Sequence, residues 1–358
     1  MTTPTQELHD RGQSLWLDNI TRAMLDEGAI ARYIDEYAVT GLTSNPSIFD
    51  NAIASGAYDE AIRSAGGTDV SDEDVFFELA IDDLRRAADL FLPVHERTDG
   101  VDGWVSLEVS PELAYDTDAT VAAARELHER AGRANLFIKI PGTPEGLPAI
   151  TAAIAAGVPV NVTLLFDSAQ YLAAADAYLD GIEQRIAAGL DPNVASVASV
   201  FMSRWDRAVV DRVPSELHDR LALAVGGDTY RAYRQLQDSE RWQRLEGQGA
   251  RLQRLLWAST STKDPSSPDT LYVSGLAAPL TVNTMPDVTL EAFHDHGVVG
   301  EMMPADGGDC DAELAAFTAA GIDLTALAAT LQSDGAAAFV ASWNELIGRI
   351  RTQRQSVG

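Results

Sequence analysis

Lysine is all but missing from this chain. Of its 26 basic residues only Lys139 and Lys263 are lysine, and Lys139 stands inside an apolar run, Asn135 to Gly146, NLFIKIPGTPEG. Guanidinium stays charged, whereas an amine can lose its proton, attack a carbonyl and form a Schiff base. A lysine at a strand end more commonly snorkels to water or pairs with a carboxylate. The flanks argue for more here. Leu136, Phe137, Ile138 and Ile140 read as a parallel strand buried on both faces, and Pro141-Gly142 forces a turn directly after it. An ordinary amine is almost wholly protonated at neutral pH, so a nucleophilic lysine calls for a low-dielectric site such as a barrel core.

Other polar residues fall at the ends of short apolar runs: Asp18 after SLWL, Thr43-Ser44-Asn45 after VTGL, Glu108 in VSLEVS, Asn161 and Thr163 in VPVNVTLLF, Ser199 in ASVFMSR and Ser259 after LLWA. Singly, each is a polar side chain that backbone can satisfy. Together they form a set with chemical logic. A lysine nucleophile must shed water from a carbinolamine, and a base must then move a hydroxyl proton as a carbon-carbon bond breaks. Asp18 and Glu108 can supply this, one directly and one through a water held by Thr163. Asn45, Asn161 and Ser199 carry donors and acceptors for sugar hydroxyls. Arg204 and Lys263, just past strand ends, are the basic groups expected for a phosphate.

These residues need a frame that brings strand ends together. Short β-branched runs alternate with longer helical stretches, the pattern of a parallel sheet with covering helices. The expected strands are Ser14 to Leu17, Val39 to Thr43, Trp104 to Val109, Leu136 to Ile140, Pro159 to Leu165, Val197 to Met202, Leu255 to Ser259 and Leu271 to Val273. Eight of them, with no glycine-rich dinucleotide fingerprint, favour an α/β fold of (β/α)8 TIM-barrel type with extra helices over an open doubly wound sheet. Asp167-Ser168 and Ser71 read as helix starts. The expectation is a single barrel domain over 1–358, with a helical insertion at about 205–254. C-terminal helices at about 311–351 are expected to break around Gly321 to Asp323 and Ser333 to Gly335.

The net charge of -28 argues against nucleic acid or an anionic membrane as partner. The single cysteine, Cys310, excludes an intrachain disulfide and suits a reducing compartment. No apolar run is long enough to span a bilayer and the polar N-terminus lacks a signal-peptide core, so the expected location is cytoplasmic. Monomer and homodimer both stay open.

The runs LWLDN, GLTSNPSIF, SLEVSPELAYDT, FIKIPGTPEGLPAI, GVPVNVTLLF, SVFMSRWD and WASTSTKDP resemble those of transaldolases, in order and at comparable spacing, from about residue 14 to about residue 300. The longer actinobacterial-type subfamily is the nearest in kind. The resemblance implies a (β/α)8 barrel without metal or cofactor, acting on sugar phosphates in the non-oxidative pentose phosphate pathway. It implies Lys139 as Schiff-base lysine, Asp18 as acid/base, and Glu108 with Thr163 holding the catalytic water. Asn45, Asn161 and Ser199 match the positions for the dihydroxyacetone hydroxyls, and Arg204 and Ser259 those for phosphate. A second phosphate arginine has no match in ASTSTKDP, and Lys263 is expected to replace it. Fructose-6-phosphate aldolase is the rival within the superfamily; Glu108 and Phe201, where those aldolases tend to have glutamine and tyrosine, resemble the transferases. A sugar-phosphate binder without catalysis is the non-enzymatic alternative, and a binder has no need of Lys139, Asp18 and Glu108 together.

His294 and His296, with Asp309 and Cys310 further on, could be drawn as a metal site, but side chains two apart on a helix diverge. GGTD and PADGGD read as acidic turns without calcium-loop spacing.

Overall fold

The computed structural model describes residues 2–64 and 70–355; the GGTD turn lies outside them. Eight parallel strands close into a barrel in sequence order: β1 (Gln13–Leu17), β2 (Val39–Leu42), β3 (Trp104–Glu108), β4 (Leu136–Pro141), β5 (Val160–Leu165), β6 (Ser196–Phe201), β7 (Arg254–Ala258) and β8 (Thr281–Met285). All but the first residue of β7 are buried, as strands enclosed by side chains inside and helices outside must be.

Seven strands fall where the hydrophobic runs predict them. The eighth does not. Leu271 to Val273, expected as a strand, belongs to a short helix, Leu271–Gly275, and the barrel closes instead through TVNTM. Its polar side chains are buried and largely bonded: Thr281 Oγ1 donates to the Ala278 carbonyl at 2.7 Å and Asn283 Oδ1 accepts from Thr260 at 2.9 Å, though Asn283 Nδ2 has no partner among the described residues. A strand that meets its burial cost with hydrogen bonds carries no apolar signature.

The interior below the mouth is packed by Trp16, Trp104 and Phe137, with Trp104 stacked on Phe137 at 4.1 Å. Gly41 exists for this layer, since a Cβ there would sit 2.6 Å from Trp16 Cε2. At the opposite end from Lys139, buried Asp102 accepts from Ser14 Oγ at 2.5 Å and Trp16 Nε1 at 3.0 Å, and it pairs with Arg254 at 3.0 Å. This bonded, paired carboxylate ties β1, β3 and β7 together.

Asp167 and Ser71 cap helices as expected, each accepting from the amide three residues on. The stretch after β6 holds the helices Arg204–Val209, Leu221–Gln237 and Glu240–Glu246. At the C-terminus Cys310–Ala319 ends at Gly321, whose φ of +89° is a left-handed exit. The second expected break is absent: Leu324–Gln355 runs unbroken through Ser333 to Gly335. This long helix crosses the barrel mouth. Gln332 donates to the carbonyls of Gly142 and Leu164 at 3.0 and 2.9 Å, while Arg349 pairs with Asp50 and Arg351 and Arg354 with Asp72. Among the described residues no single helix is long and apolar enough to cross a membrane.

Candidate active site

Register explains how the polar strand ends meet. In parallel strands, paired residues point to the same face, and β3, β4 and β5 pair Glu108 with Lys139 and Lys139 with Asn161. Lys139 is therefore flanked inside the barrel by a carboxylate and an amide. Its Nζ lies 3.1 Å from Glu108 Oε2 and 3.3 Å from the Ser44 carbonyl, and the side chain is only 6% exposed. Glu108 Oε1 and Thr163 Oγ1 are buried without a partner among the described residues, so both can still bind a water or a substrate atom.

Asp18 follows β1 directly and its amide donates to the Met285 carbonyl at 2.8 Å, which fixes it over β8. Thr43 Oγ1 donates to Asp18 Oδ1 at 2.7 Å and lies 2.6 Å from Thr284 Oγ1. Burial pushes the Asp18 carboxyl above the ordinary range, opposed by the charge on Lys139 and by the Thr43 hydrogen bond. Glu108 is likewise raised by burial; the charge and hydrogen bond of Lys139 pull it down, and Asp18 adds to the rise. Two carboxyls and one amine thus share a poorly solvated floor.

Above that floor opens a cavity of about 670 Å³, lined by Asp18, Asn45, Lys139, Thr163, Ser199, Phe201, Arg204, Ser259 and Lys263 among others. Asn45 caps the helix Pro46–Ala54, its Oδ1 accepting from the Ile48 amide, so its Nδ2 is the group left for a ligand. Asn161, like Glu108, differs from the residues just named. It is fully buried and does not line the cavity; Nδ2 donates to Ser106 Oγ at 3.1 Å and Oδ1 accepts from Ser199 Oγ at 2.7 Å. Its place is behind Ser199.

Arg204 sits half-buried on the cavity wall, 4.9 Å over the Phe201 ring, with no carboxylate pairing among the described residues. Burial, and then the charge of Arg207, lower its pKa, the signature of a cation that lacks an anion. Lys263 is exposed on the rim. Ser259, at the end of β7, holds a φ of +55°, and its Oγ lies 2.9 Å from that of Ser203. Left-handed backbone in a residue with a side chain costs about 1–3 kcal/mol and persists where neighbours over-determine it.

The amino-acid sequence matches the model of the transaldolase/fructose-6-phosphate aldolase family over residues 15–350. The chain belongs to that family. It is 47% identical over 364 residues to the transaldolase of Thermobifida fusca (strain YX), covering 99% of each chain. To the transaldolase of Arthrobacter sp. (strain FB24) it is 46% identical, covering 98% of this chain and 97% of the relative. That of Mycobacterium bovis (strain BCG / Pasteur 1173P2) is 44% identical, with 95% and 94% covered.

Compared with the residues read from the sequence, this transaldolase-family cavity includes several that the strand-end pattern missed. Thr284 lies on the unrecognised β8, and its hydroxyl beside Thr43 was hidden with it. Phe339 comes from the long C-terminal helix, which no strand-end rule reaches, and its ring centre lies 5.6 Å from Lys139 Nζ. The histidines take no part. His294 stacks on Tyr37 and bonds Thr5, and His296 pairs with Asp269 and Asp295. Asp228, Cys310 and Asp311 cluster within 4.8 Å, but Arg231 already pairs with both carboxylates.

Proposed function

We propose that this chain is a transaldolase that carries a dihydroxyacetone unit on Lys139, from sedoheptulose 7-phosphate to glyceraldehyde 3-phosphate, giving erythrose 4-phosphate and fructose 6-phosphate. The observation that carries the reading is a buried amine 3.1 Å from a carboxylate, on the floor of a cavity whose wall holds a guanidinium unpaired among the described residues.

Lys139 adds to the donor's C2 carbonyl, and loss of water from the carbinolamine leaves an iminium. Asp18 takes the proton of the C4 hydroxyl, the C3–C4 bond breaks, and its electron pair is delocalised as an enamine on the lysine nitrogen. The aldose departs, the acceptor aldehyde enters, and the steps run in reverse. Glu108 and Thr163 hold the water that moves protons to and from the carbinolamine; their unpartnered buried oxygens support that role. Asn45 and Ser199 hold the hydroxyls of the three-carbon unit, with Asn161 fixing Ser199. Phe201 closes the wall beside them. Arg204, Ser259 and Lys263 receive the phosphate, Arg204 supplying a planar fork and Lys263 a point charge. A cytoplasmic setting accords with the lone cysteine and the acidic composition.

Borohydride reduction in the presence of fructose 6-phosphate tests the covalent step. A stable adduct is expected on Lys139 and none in Lys139→Ala; an adduct that survives that substitution would remove the lysine from the mechanism. Product from fructose 6-phosphate only when erythrose 4-phosphate is present marks transfer, whereas free dihydroxyacetone without it marks an aldolase.

A further inference from the structure

The helix Leu324–Gln355 sends one ring into the cavity. Phe339, 8% exposed, lies with its ring centre 5.6 Å from Lys139 Nζ and meets Phe201 edge-on at 6.4 Å; Phe201 in turn leans on Phe166 at 5.6 Å. The helix cannot slide, because Gln332 is bonded to two mouth carbonyls and Trp343 packs against Phe76 and Phe77 at 5.0 and 5.7 Å. Gln332, Gly335, Phe339 and Trp343 follow at steps of three, four and four, which puts them on one helical face. Phe339 is thus a fixed apolar cover on the side of the amine opposite the barrel floor.

The covalent intermediate of the proposed reaction has two fates. Its nucleophilic carbon can attack an acceptor aldehyde, or it can take a proton from water. In the second case an iminium forms, water adds to its carbon, and the carbinolamine expels the amine; the sum is enamine plus water giving free Lys139 amine plus dihydroxyacetone. The nucleophilic carbon is two bonds from Nζ, so a ring centred 5.6 Å from that nitrogen is within van der Waals reach of the three-carbon unit. We propose that Phe339 is a specificity-determining residue, whose ring keeps proton-donating water off the enamine and so sets the ratio of transfer to release. This rests on the Schiff-base reading of Lys139.

The test divides the rate of dihydroxyacetone release from fructose 6-phosphate without acceptor by the rate of transfer with erythrose 4-phosphate. In Phe339→Ala the ratio is expected to rise roughly 10-fold or more, the scale on which solvent exclusion and proton donation act. Phe339→Val should rise less, and Phe339→Leu, which refills the space, should return close to wild type. Both rates scale with the amount of folded enzyme, so partial misfolding lowers them together and leaves the ratio intact. An unchanged ratio in both the Ala and Val variants, or a Leu variant as leaky as Ala, would overturn the assignment. Failure of borohydride to trap Lys139 in the wild-type protein would instead remove the intermediate itself.

Discussion

The two carboxyls on the floor differ in what holds them. Glu108 touches the amine, whereas Asp18 is governed by burial, by the charge of Lys139 and by one hydroxyl, that of Thr43. A base must be ionised to take a proton, and burial raises Asp18, so the acid limb of kcat is expected above the range of an ordinary carboxyl. Thr43→Val removes a hydrogen bond that favours the ionised form at nearly constant volume. Its acid limb should therefore move to higher pH while the alkaline side stays in place; a limb at the wild-type position would show that Thr43 does not tune Asp18. The candidate catalytic residues, which the structure brings together, stood out most in the sequence, because an ammonium, two carboxyls and hydroxyls at the ends of apolar runs have few structural uses in common. Asn161 was legible in identity but not in position. Asn161 faces the barrel interior as Lys139 does, and whether it meets a ligand or braces Ser199 depends on the partners around it, which composition does not carry.

At the scale of elements, the long C-terminal helix and the helices after β6 decide how the cavity is walled. Gly335 lets the helix approach: a Cβ there would come within 2.9 Å of both Arg204 Nη1 and Leu164 Cδ2. From sequence the glycine reads as a break, yet it serves close packing inside an unbroken helix. Gly335→Ala should displace the guanidinium and raise KM for fructose 6-phosphate several-fold, with little change in KM for unphosphorylated fructose. Equal effects on both sugars would detach Arg204 from phosphate. A second device lies below. Buried Asp206 accepts from the Leu221 and Ala222 amides and from Tyr272, joining three helices, and burial lifts its pKa to about 6. A carboxyl raised on folding favours the native state while protonated. Stability fully present below the unfolded value of 3.8 is thus lost as pH rises through about 6; the gap between those two values sets its scale at about 3 kcal/mol. Asp206→Asn keeps the acceptor for the amides and offers Tyr272 a donor, so its denaturation midpoint should lose that slope and exceed wild type near neutral pH. A wild-type slope in the variant would place the titration elsewhere. Seven strands were visible as β-branched runs; β8 and the short helix before it exchanged appearances, because Thr281 and Asn283 are buried through bonds and Tyr272 and Val273 pack while helical.

For the molecule as a whole, 54 acidic residues face 26 basic ones. Many arginines are engaged in exposed ion pairs, such as Arg133 with Asp89 and Arg241 with Asp180 and Glu183, which contribute little individually. The remaining excess of negative charge repels itself in the compact state, and salt screens it over about 10 Å at 0.1 M. Added sodium chloride should therefore raise the thermal midpoint by several degrees between low salt and about 0.5 M, measured by circular dichroism. A midpoint that falls instead would mean that the surface pairs outweigh the repulsion. The helix across the mouth has one more consequence, and it concerns synthesis. All eight strands leave the ribosome before Leu324 does, so the barrel and the floor of its cavity can form before the helix that covers the mouth exists. Phe339 arrives only later, so the wall that it supplies is the last part of the cavity to be built.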